Sequence, residues 1–149
     1  MTYNLAEILE DSATKYPDRN AIVLGDTRLT YAQVNGAANQ VANLLASRGV
    51  GKGDKIALSC VNLPYFTIVY FGILKAGGTV VPLNVLLKSR EVAYHLADSE
   101  AKAYFCFQGT PELPIGQEGL AGFEQTDDCE HFWMITVDPA APSPIEGTE

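Results

Sequence analysis

Residues Lys55–Phe107, "KIALSCVNLPYFTIVYFGILKAGGTVVPLNVLLKSREVAYHLADSEAKAYFCF", decide the fold. "KIALSC" at Lys55–Cys60 is a short apolar run of strand length. Asn62 and Pro64 then supply a cap and a first-turn proline for a helix through Ala76. That helix is apolar on most sides, which implies burial on several faces. Gly77–Gly78 stop it, and "TVVPL" at Thr79–Leu83 is the next strand. Ser89 caps a helix to about Asp98, with Val92, Ala93 and Leu96 inward, and Ala103–Phe107 is a third strand. Strands joined by helices of this length must run parallel. The expectation is an α/β fold with a parallel βαβαβ core flanked by helices.

Upstream, Asn4 caps a helix over Leu5–Lys15 with Leu5, Ile8 and Leu9 on one face. Gly25–Asp26 joins two β-prone runs as a hairpin with glycine leading. Thr30 caps an amphipathic helix, Tyr31–Arg48, and Gly49 stands where a left-handed cap belongs. A helix and a hairpin thus precede the core. Downstream of Gln108 the pattern loosens. A short helix is expected near Glu118–Phe123 and a last strand at Phe132–Asp138. The expected division is one partial domain, 1–138, and a Pro-rich linker or disordered tail, 139–149.

The net charge of −8 is unevenly spread. Ten bases and nine acids lie at or before Lys102, while nine acids and no base follow it. A base-free acidic segment does not neutralise phosphates, so nucleic acid is not an expected partner. Cys60, Cys106 and Cys129 show no paired or metal-ligand spacing, and Cys60 and Cys106 read as small buried hydrophobes. This usage and the absence of a secretory pattern fit the cytoplasm. Ile56–Leu74 is uncharged and long enough to span a bilayer, but Asn62 and Pro64 near its middle favour strand, turn and helix.

"GVGKGDK" at Gly49–Lys55 resembles a phosphate loop but has the wrong polarity, since a helix precedes it and a strand follows. There is no GxGxxG after a strand and no GxSxG elbow. His95 has no second histidine four residues away, and the carboxylates around His131 are expected to be solvated rather than metal-binding. No catalytic, cofactor or metal residue is assigned.

Three stretches carry a family resemblance. Arg28–Leu58, "RLTYAQVNGAANQVANLLASRGVGKGDKIAL", Ile73–Asn84, "ILKAGGTVVPLN", and Leu87–Phe105, "LKSREVAYHLADSEAKAYF", resemble the N-terminal part of the adenylate-forming superfamily. The nearest type is the acyl-CoA synthetases, or fatty-acid–CoA ligases. The resemblance implies the N-terminal part of a large adenylating domain. It also implies a two-step reaction in which a carboxylate and ATP give an acyl-adenylate and CoA then takes the acyl group. ATP, Mg²⁺ and CoA are the cofactors so implied, and a fatty or other carboxylic acid is the substrate. The Ser/Thr/Gly-rich phosphate loop and the mobile catalytic lysine of that family have no match in these 149 residues. The chain alone, a truncated piece of the intact enzyme, is therefore expected to be inactive, to bind no cofactor tightly, and to self-associate through an uncovered sheet face.

Ligands of open α/β sheets gather beyond the carboxyl ends of the strands. Asn62, Pro64 and Asn84 follow two such ends and are the candidate substrate-side residues, with capping and turn chemistry as their competing role. The alternative reading of the whole is a stand-alone, non-catalytic binding or assembly module on the same fold.

Overall fold

The computed structural model describes residues 3–138 and 140–149. In chain order the elements are α1 (Ala6–Lys15), β1 (Asn20–Leu24), β2 (Thr27–Thr30), α2 (Tyr31–Ser47), β3 (Lys55–Ser59), α3 (Pro64–Lys75), β4 (Thr79–Pro82), α4 (Ser89–Asp98), β5 (Ala101–Phe107), α5 (Ile115–Phe123) and β6 (His131–Ile135). They form two compact units, residues 1–54 with 62–79 and residues 55–61 with 80–149.

The first unit holds the hairpin and three helices. β1 and β2 pair antiparallel around Gly25–Asp26, and Gly25 takes the left-handed φ of +57° that a leading glycine permits. Thr30 Oγ1 accepts the Gln33 N–H while Gln33 Oε1 accepts the Thr30 N–H, a reciprocal cap on α2. α2 and α3 end alike. Val50 N–H bonds Leu45 O and Gly49 N–H bonds Ala46 O; Gly78 N–H bonds Ile73 O and Gly77 N–H bonds Leu74 O. Leu9, Val34 and Ala38 form the centre, with Ile22, Leu29, Ile68 and Phe71 against them. Gly72 is the close approach of α2 and α3: a Cβ there would lie 2.5 Å from Val41 Cβ and 3.0 Å from Ala38 O.

Two local expectations are corrected here. Leu5 and Ile8 are 50% and 60% exposed, and Ala6 with Leu9 is buried instead. Tethers set the rotation of α1: Asn4 Oδ1 accepts Ala6 N–H, Asn4 Nδ2 donates to Leu74 O at 2.8 Å, and Glu10 pairs with Lys75. Asn62 does not cap α3. The cap position is Leu63, held extended (ψ 159°) by the proline that follows, and no side chain bonds the helix start.

The second unit is a four-stranded sheet in the order β4-β3-β5-β6. β3–β5 and β5–β6 pair parallel, and Leu83 N–H bonds Leu58 O beside β3. The sheet is buried on both faces, as parallel strands require. Ile56, Leu58, Phe105 and Trp133 lie on one face; Ala57, Ser59, Tyr104 and Cys106 lie on the other, and all eight are at most 5% exposed. α4 and α5 pack side by side on β5. α4 begins with Ser89 inside the helix rather than capping it. Glu91 Oε2 accepts Lys88 N–H, and Glu118 of α5 reaches across to accept Ser89 N–H at 2.8 Å. A carboxylate at a helix N-terminus is also favoured by the dipole. α5 starts three residues before the expected Glu118, and β6 ends at Ile135, short of Asp138. Glu100 is the one non-glycine with positive φ (+55°) among the described residues. Lys55 donates to its carboxylate at 3.0 Å, and that hydrogen bond, with the charge of Lys55, holds it below the ordinary carboxylate pKa.

The α2–α3 contact yields a paired prediction. Gly72→Val overpacks the contact and should lower the unfolding free energy by about 2–3 kcal/mol. Gly36→Ala, where an added Cβ meets nothing within 4 Å, should raise it by about 0.5–1 kcal/mol. Urea denaturation of both variants checks the signs.

Candidate functional site at the carboxyl edge of the sheet

The connections from β3 and from β5 leave in opposite directions, β3 toward β4 and β5 toward β6. The β3/β5 junction is therefore the reversal point where open α/β sheets hold ligands. Sequence patterning leaves strand order open, so this junction was not among the residues singled out above.

Beneath the junction the sheet is closed and rigid. Ser59 ends β3, is 2% exposed, and its Oγ lies 2.7 Å from Tyr104 Oη. Burial pushes the Tyr104 phenol far above its ordinary pKa, so it stays protonated. Cys106 Sγ donates to Ile115 O at 3.4 Å, and burial raises its pKa to about 12. Cys129 is likewise raised to about 12 by burial. Both thiols are neutral at physiological pH and poor nucleophiles. Gly119 presses on this group: a Cβ there would lie 2.4 Å from Cys106 Sγ and 3.0 Å from Tyr104 Oη.

Beyond β5 the chain turns through Gln108 and Gly109. Gln108 N–H bonds Ile135 O, its carbonyl accepts Gly116 N–H, and its Oε1 accepts Val137 N–H at 2.9 Å. Gly109 has φ +78°, and a Cβ would stand 2.3 Å from Leu113 O, so no other residue fits. A crevice of about 290 Å³ opens here, between Gln108–Pro111, the start of α5 and Pro144–Ile145. Its walls are prolines and Ile145, with the Thr110 hydroxyl and the Gln117 amide as polar groups. The arrangement suits an apolar group steered by hydrogen bonds.

The three sequence-derived candidates fall in different places. Asn62 is an exposed bend residue and Pro64 the first residue of α3, both in the first unit. Asn84, in the second, follows β4; its Oδ1 accepts Leu86 N–H at 2.9 Å, a local turn bond. The Gly49–Lys55 run is a helix end and turn: Gly51 N–H bonds Asp54 Oδ2 and Gly53 N–H bonds Gly77 O. His131 stacks on Trp133, its Nε2 buried and 3.8 Å from Glu130 Oε2. Among the described residues no three His, Cys, Asp or Glu side chains gather as a metal site, and no helix is long and apolar enough to cross a membrane.

Comparison with known proteins extends the reading. A Mycobacterium marinum medium/long-chain-fatty-acid–CoA/3-oxocholest-4-en-26-oate–CoA ligase is 39% identical over 100 residues, covering 67% of this chain and 18% of that protein. Bacitracin synthase 3 of Bacillus licheniformis is 38% identical over 97 residues, covering 65% of this chain and 2% of that protein. The structure of the anthranilate–CoA ligase AuaEII, in complex with anthranoyl-AMP, superposes with a TM-score of 0.80 at 30% identity, covering 89% of this chain and 25% of that one. The chain thus spans only a small part of the relatives it matches. The family model described as AMP-binding enzyme matches residues 9–147, and the chain belongs to that family.

Proposed function

We propose that this chain forms the N-terminal part of an AMP-forming acid–CoA ligase acting on fatty or related carboxylic acids in the cytoplasm. The observation that carries this is the family match over 9–147 together with the fatty-acid–CoA ligase relative. In the intact enzyme the carboxylate attacks the α-phosphate of ATP with Mg²⁺, pyrophosphate leaves, and the CoA thiol then displaces AMP from the acyl-adenylate. The chain's own share is structural. A parallel sheet presents its carboxyl edge as an outer wall of the acyl site, with Asn84 at the exit of β4; Asn62 and Pro64, in the first unit, are proposed separately as substrate-side residues.

The 149 residues alone are proposed to be inactive. Adenylation needs backbone donors and a cation to offset several phosphate charges. The family's phosphate loop is not in this sequence, and no lysine follows Lys102. The glycine-rich runs that are present spend their N–H groups on helix ends and turns.

The chain alone is further proposed to self-associate, on a basis revised from the sequence reading. The central strands β3 and β5 are buried rather than bare; the exposed apolar side chains include Leu5 and Ile8 at the start of α1, Val23 and Leu24 at the hairpin, and Leu86 and Val137 in the second unit. Multi-angle light scattering should show mass rising with concentration; a monomer throughout contradicts it.

Supplied with ATP, Mg²⁺, CoA and decanoate, residues 1–149 should form no thioester. A longer polypeptide continuing into the downstream coding sequence should exchange pyrophosphate into ATP only when a carboxylic acid is present. Absence of acid-dependent exchange there overturns the ligase reading. Thioester formation by the 149 residues overturns their proposed inactivity.

A further inference from the structure

Residues 143–149 are held in two ways. Within the segment, Ser143 Oγ bonds Thr148 Oγ1, Thr148 Oγ1 donates to Ile145 O at 2.8 Å, and Ile145 N–H reaches Ser143 Oγ at 3.4 Å. The segment is therefore a small self-bonded turn. It seats on β6 and on α5. Met134 N–H on β6 bonds Glu149 O at 2.7 Å. Ile145 lies on Gly116: a Cβ on that glycine would meet Ile145 Cδ1 at 3.0 Å. Pro144 and Ile145 form one wall of the crevice at the end of β5, opposite Pro111, Pro114 and Gln117. The turn that leads into the crevice is fixed by Gly109 and by the three hydrogen bonds of Gln108.

We propose that residues 143–149 are a strap. Ile145 closes it over Gly116, and it lifts as a unit to let the apolar part of a ligand lie along the carboxyl end of β5. This rests on the reading of the carboxyl edge as a ligand wall. Local segments of a folded chain can open at free energies below that of global unfolding.

Ile145→Asp in the full chain should detach the strap, and Ile145→Val should keep it seated. Amide exchange read by NMR reports seating directly. The Met134 amide should exchange about tenfold faster or more in Ile145→Asp, with the amides of β5 unchanged. The dye 8-anilinonaphthalene-1-sulfonate reports access. Its binding should increase in Ile145→Asp, stay low in Ile145→Val, and fall back when Gln117→Trp fills the crevice of the Ile145→Asp chain. Unchanged Met134 exchange overturns the strap. Faster exchange without added dye binding, or dye binding indifferent to Gln117→Trp, overturns its role as a cover. Neither measurement uses ligase activity, so a failed strap and a failed ligase reading are told apart.

Discussion

The second unit depends on one buried contact, the pairing of Ser59 on β3 with Tyr104 on β5. Two hydroxyls 2.7 Å apart satisfy each other in a site with almost no solvent access. Breaking this buried bond costs about 1–3 kcal/mol. Paired, they fix the register of β3 against β5 at the point where the strand connections diverge. The geometry of the carboxyl edge follows from that register. Gln108 emerges beside Ile135, the Gly109 turn is forced, and the crevice opens between that turn and α5.

The same contact dictates the helix above it. Tyr104 and Cys106 fill the space where α5 crosses the sheet, so α5 must come close without side chains of its own. Gly116, Gly119 and Gly122 recur every three residues along it, and a Cβ at any of them would meet a neighbour at 2.8 Å or less. Glycine weakens an isolated helix by about 1 kcal/mol per residue, and close packing of Gly119 on β5, Gly116 on Gln108 and Gly122 on α4 offsets this. The position of α5 in turn brings Glu118 to the start of α4.

Much of this was legible in the residues. Apolar runs, Thr30, Gly49 and Gly77 marked the ends of α2 and the strands and first helix end of the βαβαβ core because those features act locally. α5 was legible only in its second half, because Gly116 and Gly119 read as loop residues until the sheet they touch is known. The inward face of α1 was misjudged because Asn4 and Glu10 are anchored to Leu74 and Lys75, some 65 to 70 residues away. The site was less legible than the fold. Asn62, Pro64 and Asn84 were found from strand exits alone, whereas the Gln108 turn needs the strand order, which is a tertiary property. Chemistry beyond this wall is inferred from family membership; among the described residues the Cys106 and Cys129 thiols are held protonated by burial.

A double-mutant cycle on Ser59 and Tyr104 probes the founding contact most directly. Ser59→Ala and Tyr104→Phe should each lower the unfolding free energy by about 1–3 kcal/mol, by removing the bond between the two buried hydroxyls. The double variant, with neither hydroxyl, should lose little more than one single variant, giving a coupling of about 1 kcal/mol or more. Losses that simply add would contradict the account, since the two strands would then be held in register by something other than this pair.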